Sequence, residues 1–265
     1  MKTLKSSEAW FSFNGVSCLS HNVRMISPPS RPHPARKGRY EDIPGTDGGL
    51  WMDEGGYKNI PISVPCVAVD NLNIDDINAW LTGGGDLIFG DEPNRLYHAR
   101  ITGEFARNNL YGVMRGQEFT VSFDCEPYRY KVDTTGDDIL IESESWYGAP
   151  TVIFYEQSGS VDSLPMIKVE NTNGGCVIKA GGKEMRVEYC AQPIYIDCAA
   201  KYATVTFSGV RQSASRYISG DWPRLPPASA PESISVTSFE ADPKDTGMLG
   251  SNHTTVTVSP RWRYL

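Results

Sequence analysis

QEFTVSFDC, Gln117–Cys125, puts Phe119, Val121, Phe123 and Cys125 at every second position, with Thr120, Ser122 and Asp124 between them. Successive side chains of a strand point to opposite faces, so this period of two describes a strand with one buried and one wet face. YHARITGEF repeats it: Tyr97, Ala99, Ile101 and Phe105 oppose His98, Arg100, Thr102 and Glu104, with Gly103 a natural place for a bulge. Between the two runs, NNLYG (Asn108–Gly112) supplies a reversal. Half-buried strands of this kind belong to antiparallel sheets, not to a doubly wound parallel sheet.

Working outward, Asn73–Leu81 is expected to be a short helix. It places Ile74, Ile77 and Leu81 on one side, Asn73 or Asp75 as the cap, and Thr82-Gly83-Gly84-Gly85 as the stop. Asp75 and Asp76 suit the positive end of its dipole. Trp80 and Leu81 are read as structural anchors against the first sheet, with the chain returning into a strand at Asp86–Phe89. The clean alternation ends after Glu126–Tyr130, and the stretch from Lys131 to Gly148 is read as polar and irregular. A second series of short strands follows: MIKVE, CVIKA, MRVEYC, PIYIDC, ATVTF, SISVTSF and TTVTVSP. Short strands separated by Gly, Pro and Asn turns suggest a β-sandwich. Arg211–Pro231 reads as a polar, proline-rich loop outside the core. The terminal PRWRYL is expected to pack, with Trp262 as its anchor.

RPHPARKGRYEDIPGTDGGL, Arg31–Leu50, interrupts the strands with a basic run, an acidic pair and a glycine-rich turn. By residue chemistry it is an exposed charged linker, an anion-binding loop or an arm that grips another protein. GTDGG lacks the Lys-Ser/Thr that follows a phosphate-cradling loop, which weighs against the second. Prolines reduce the entropy lost when an extended arm becomes ordered, which suits the third.

The whole chain of 265 residues is 40% hydrophobic and 22% charged, enough apolar material for a core and too much for a disordered chain. Its net charge of -7 opposes a general nucleic-acid binder, which needs concentrated positive charge. Six cysteines show no CxxC or zinc spacing and are read as buried thiols. No signal peptide or membrane-spanning run is evident. The four histidines, His21, His33, His98 and His253, never form HExxH, no GxSxG occurs, and Asp133, Asp137 and Asp138 do not follow an EF-hand. No catalytic, cofactor-binding or metal-binding residue is assigned, and no cofactor is expected. Trp146, Tyr147, Tyr217 and Trp222 lie in polar segments, which keeps a carbohydrate-binding module as the alternative.

Five segments taken in order carry a family resemblance: WFSFNG (Trp10–Gly15), IPGTDGGL (Ile43–Leu50), DDINAWLTGGGDLIFGDEPNRLYHARI (Asp75–Ile101), GQEFTVSFDCEPYRY (Gly116–Tyr130) and SPRWRYL (Ser259–Leu265). Together they resemble the distal tail protein family of siphophages, whose tails are long and non-contractile, and of related prophages. The resemblance implies an all-β protein with two domains. Residues 1–130 would form an N-terminal β-sandwich with a short helix and an extended arm or hairpin, the ring-forming part. Residues 131–265 would form a C-terminal galectin-like β-sandwich. It implies a non-enzymatic structural hub: a homo-hexamer joining the major tail-tube protein to the tail-associated tip protein, with DNA only as cargo through its lumen. The protein would be made and assembled in the bacterial host cytoplasm and reside at the distal end of the virion tail, without membrane contact. The alternative function is a carbohydrate-binding sandwich contributing to adhesion to the host surface. Arg31–Leu50 becomes an inter-subunit arm, with Arg36, Lys37 and Arg39 facing a neighbour's carboxylates and Glu41 and Asp42 answering in return.

Overall fold

The computed structural model describes residues 8–70, 73–102, 116, 118–144, 149–156, 158–227, 232–240 and 251–265. They form an all-β structure of several sheets with one short α-helix. The chain divides into two compact units, one running to Val132 and including Leu265, the other from Asp133 to Tyr264. The reversal expected at Asn108–Gly112, the bulge at Gly103, Phe105, and the aromatics Trp146 and Tyr147 lie outside the described residues.

The first unit contains β1 (Phe11–Phe13), β2 (Val16–Ser17), β3 (Val23–Met25), β4 (Arg36–Asp42), β5 (Gly49–Tyr57), β6 (Ile60–Ala68), α1 (Ile74–Trp80), β7 (Gly84–Phe89), β8 (Glu92–Ile101) and β9 (Glu118–Lys131). One antiparallel sheet runs in the order β2-β1-β7-β8-β9-β6-β3, while β4 and β5 form a separate two-stranded ribbon. The sheet is strongly curled. Strands β1 and β9 are three places apart, a gap of roughly 14 Å in a flat sheet. Yet the Phe123 ring lies 5.9 Å from that of Phe11 and 5.6 Å from that of Phe13. Sandwich-type packing is thus reached within one curled sheet, whose interior holds Phe11, Phe13, Leu87, Phe89, Val121, Phe123 and Cys125.

Helix α1 begins as a helix should. The Asn73 side chain accepts from the Asp75 backbone N–H, so Asn73 is the cap and Asp75 lies in the first turn. Ile77 and Leu81 are buried, and Gly83, at φ +72°, turns the chain out of the helix and into β7.

In the second unit, β10 (Ile139–Glu144), β20 (His253–Ser259), β12 (Met166–Asn171), β15 (Ile194–Asp197), β16 (Tyr202–Phe207) and β17 (Val210–Ser213) form a six-stranded antiparallel sheet in that order. A five-stranded antiparallel sheet runs β11 (Thr151–Tyr155), β19 (Glu232–Glu240), β13 (Gly174–Ala180), β14 (Lys183–Val187) and β18 (Ile218–Gly220). Both contribute to one core, including Ile167, Val169, Ile196, Val205, Val256 and Val258 from the first and Ile178, Met185, Val187, Ile234 and Val236 from the second. The unit is a β-sandwich.

Two readings of the sequence are corrected here. The stretch read as polar and irregular contains β10, whose Ile141 and Ser143 are buried while Leu140 faces outward. It is an edge strand, and its wet face supplied the polar residues that masked it. The stretch read as a loop outside the core contains β17 and β18, and Ala214 and Leu225 within it are fully buried.

Candidate functional site

The ribbon β4–β5 is where the first unit offers chemistry to the outside. Register pairs Gly38 with Asp53, Arg39 with Met52, Tyr40 with Trp51, Glu41 with Leu50 and Asp42 with Gly49. The turn follows from its residues: Thr46 donates through N–H and hydroxyl to the Ile43 carbonyl, and Gly45 and Gly48 take φ of +86° and +78°. Near the base, the backbone shifts register between Arg36 and Gly38. The Lys58 N–H donates to the Ala35 carbonyl at 2.8 Å and closes the stem.

Arg31 fastens the stem. Its guanidinium reaches Asp91 at 2.5 Å and Glu92 at 3.4 Å, lying 4.5 Å above the Phe89 ring. Glu92 also accepts from Arg129 at 2.7 Å. Arg31, read from sequence as part of the arm, belongs to its mounting, and Pro34 beside it is buried. Beyond that mounting, every residue from Arg39 to Gly56 is exposed.

The five charged candidates all lie on β4, and the structure spends part of their charge within the chain. Arg39 donates through Nε and Nη2 to Glu41 Oε1 at 2.9 and 2.7 Å, two residues along the same strand. Arg36 stands 3.9 Å from Asp53 across the ribbon, with its guanidinium 4.6 Å from the Tyr57 ring centre. Lys37 and Asp42 make no ion pair among the described residues. Exposed pairs of this kind contribute little to stability, about 0–1 kcal/mol each, so they do not explain why the ribbon carries them.

Sequence reasoning missed the apolar half of the ribbon. Tyr40 is 70% exposed and Trp51 41%, with rings 4.9 Å apart, and Ile43, Leu50 and Met52 are exposed with them. The Trp51 indole lies over Gly38, where any Cβ would overlap it. The signal is present as LWM directly after the glycine turn, but an arm bounded at Leu50 stops one residue short of the tryptophan. An exposed Tyr–Trp–Met surface beside arginines, with unpaired strand edges, has the composition of a protein-binding hot spot.

The structural anchors are placed as follows. Trp80 is half-buried, stacked between Phe11 (5.6 Å) and His21 (4.5 Å), and donates Nε1–H to the Phe13 carbonyl at 3.0 Å. Leu81 is buried beside it. In the second unit Trp262 is buried and stacks on Tyr155 at 6.1 Å. Its neighbour Arg261 holds Asp197 with two hydrogen bonds of 2.9 and 3.0 Å, and Arg263 donates to the Asp162 carbonyl. Tyr217 and Trp222, candidate sugar platforms, are partly buried against the second core.

No protein-family model and no curated protein matches this chain. Among solved structures, the Dit protein of phage SPP1, described as a paradigm of the hub adsorption apparatus of phages infecting Gram-positive bacteria, aligns with a TM-score of 0.60. The alignment covers 97% of this chain and 99% of that one, at 16% identity. The two proteins share a fold. The likeness spans both compact units and not one of them alone.

Elsewhere the described residues offer no reactive centre. No three His, Cys, Asp or Glu side chains among them converge as a metal site, and no helix is long and apolar enough to cross a membrane. All six cysteines are free and buried. Burial pushes the Cys18 thiol up to about 11, and Cys125, Cys176 and Cys198 up to about 12, the reverse of what a nucleophile requires.

Proposed function

We propose that this chain is a structural hub subunit of a siphophage tail tip, closing into a ring that joins the tail-tube protein to the tail-associated tip protein. The observation that carries the reading is the full-length fold match to a phage hub protein. A free-standing ribbon of Tyr40, Trp51 and Met52 flanked by arginines supports it, because such a surface has too little buried area to be useful within its own chain. In this reading the ribbon docks on the next copy, a head-to-tail contact that repeats until the ring closes. Six copies, as the family resemblance implies, surround a lumen through which DNA passes without being read. The protein resides at the distal end of the tail, and its role is mechanical, with no catalysis.

The reading is tested by light scattering on the purified full-length chain, alone and mixed with the cognate tail-tube protein. A ring-sized assembly in either sample is expected. A monomer in both, at every concentration reached, defeats it.

A further inference from the structure

A shallow cleft of about 430 Å³ opens on the outer face of the six-stranded sheet. We propose that this cleft is a binding site for a neutral saccharide. The proposal is independent of the hub reading, because it rests on the second unit alone.

The cleft is made by the outward-pointing residues of four adjacent strands. Cross-strand register sets Met166 beside Asp197, Asp197 beside Tyr202, Tyr195 beside Thr204, and Thr206 beside Arg211. Tyr195 and Tyr202 are each nearly half exposed, and both line the opening. Their ring faces and phenolic hydroxyls therefore remain available to a ligand, while the inward residues of the same strands, Ile194, Ile196, Ala203 and Val205, fix the sheet beneath them. Arg211 makes no ion pair among the described residues, so its guanidinium N–H groups are free to donate.

Asp197 completes the polar set with a fixed acceptor. Arg261 grips it from outside the cleft with two hydrogen bonds, and the Ala199 and Ala200 amides donate to its Oδ1 at 3.0 and 3.1 Å. Oδ2 accepts from Arg261 alone in this set and keeps a lone pair for a further donor.

That inventory selects among ligand classes. A lipid tail needs an enclosed apolar slot, and this cleft is open and lined by hydroxyls. A phosphate-rich ligand needs several cations, and the lining here holds one arginine and one carboxylate. A sugar ring presents apolar C–H faces that lie on aromatic rings, and hydroxyls that both donate and accept around its edge. Two tyrosines, the exposed Thr206 hydroxyl, a donor-only arginine and an acceptor-only aspartate match both demands. The volume lies within the roughly 300–1,000 Å³ of small-ligand sites and suits one or two sugar rings.

Isothermal titration of the full-length protein with maltose, lactose, chitobiose and inorganic phosphate tests the assignment. Saturable binding of at least one disaccharide is expected. Tyr202→Ala, Tyr195→Ala and Arg211→Ala should each weaken it by about tenfold or more, as loss of one well-placed contact does. The ribbon variant Tyr40→Ala should leave it unchanged, which separates this site from the assembly surface. Because the two tyrosines and Arg211 point outward, unchanged melting of the variants will verify that they fold. No saturable binding by any disaccharide overturns the proposal, as does binding indifferent to both tyrosine variants. Phosphate binding lost in Arg211→Ala, without disaccharide binding, also overturns it and leaves an anion site instead.

Discussion

Trp80 ties three elements of the first unit through one side chain, stacking on Phe11 of β1 and on His21, and donating to the Phe13 carbonyl. Trp80→Ala removes that contact and leaves the carbonyl without its donor, so it should cost about 3 kcal/mol, the lower end for truncating a large aromatic because the ring is only half-buried. A thermal melt checks it, and an unchanged midpoint would make Trp80 peripheral. Asn252 does comparable work in the second unit. Fully buried, it donates to the carbonyls of Gly175 and Phe239 and accepts from the Thr172 and Asn173 amides. Asn252→Leu strands those groups and should destabilise by about 1–3 kcal/mol or more, read by urea denaturation. Asp197 carries a pH signature. Burial favours its neutral form, but the Arg261 hydrogen bonds and the Ala200 and Ala199 amides outweigh that and hold its carboxyl below the usual range. A folded-state pKa below the unfolded value gives stability that is complete above the ordinary aspartate value of about 3.9 and is lost as pH falls through the lowered one. Arg261→Ala should therefore raise the Asp197 pKa, measurable by carboxyl carbon NMR, and shrink the acid-limb slope of stability.

The ribbon is the element on which assembly turns in this account. Its apolar and cationic residues are exposed and add little to the fold, so Trp51→Ala and Tyr40→Ala should leave the melting temperature within about 1–2 °C while weakening self-association. Reversing Arg36, Lys37 and Arg39 to Glu should act in the same direction, more strongly at low salt where surface charge is less screened. Sedimentation velocity across a concentration series reads both. The sequence made the other elements legible to unequal degrees. β9, β19 and β20 announce themselves because each carries a stretch that buries one face and wets the other, and that alternation is kept in the structure, in β9 from Phe119 to Cys125. β10 hid because an edge strand buries only Ile141 and Ser143, leaving Glu142 and Glu144 to dominate its composition. β17 and β18 hid behind prolines and charges, though Leu225 nearby is as buried as any core residue. Within the arm, charges were easy to find and Trp51 was not. Its indole lies over Gly38, thirteen positions earlier and diagonal to it across the ribbon, and only the hairpin register brings the two together.

For the whole molecule, two separate cores joined in one chain suit a part that must be rigid in each piece. The first unit buries its interior within a curled sheet, the second between two sheets, and each contributes its own set of aromatic and aliphatic side chains. The six thiols are all buried and free, and burial raises Cys18 to about 11 and Cys176 to about 12, so native protein should resist alkylation near neutral pH and expose all six only on unfolding. The proposed hub role asks nothing else of its chemistry: it requires an outward arm, a complementary surface on the next copy, and a geometry that closes. Electron microscopy of the purified chain mixed with its tail tubes tests that most directly. The account predicts closed rings seated on the tube ends, absent or incomplete when Tyr40 and Trp51 are both changed to Ala. Tube ends left bare by a wild-type protein that remains monomeric would contradict it.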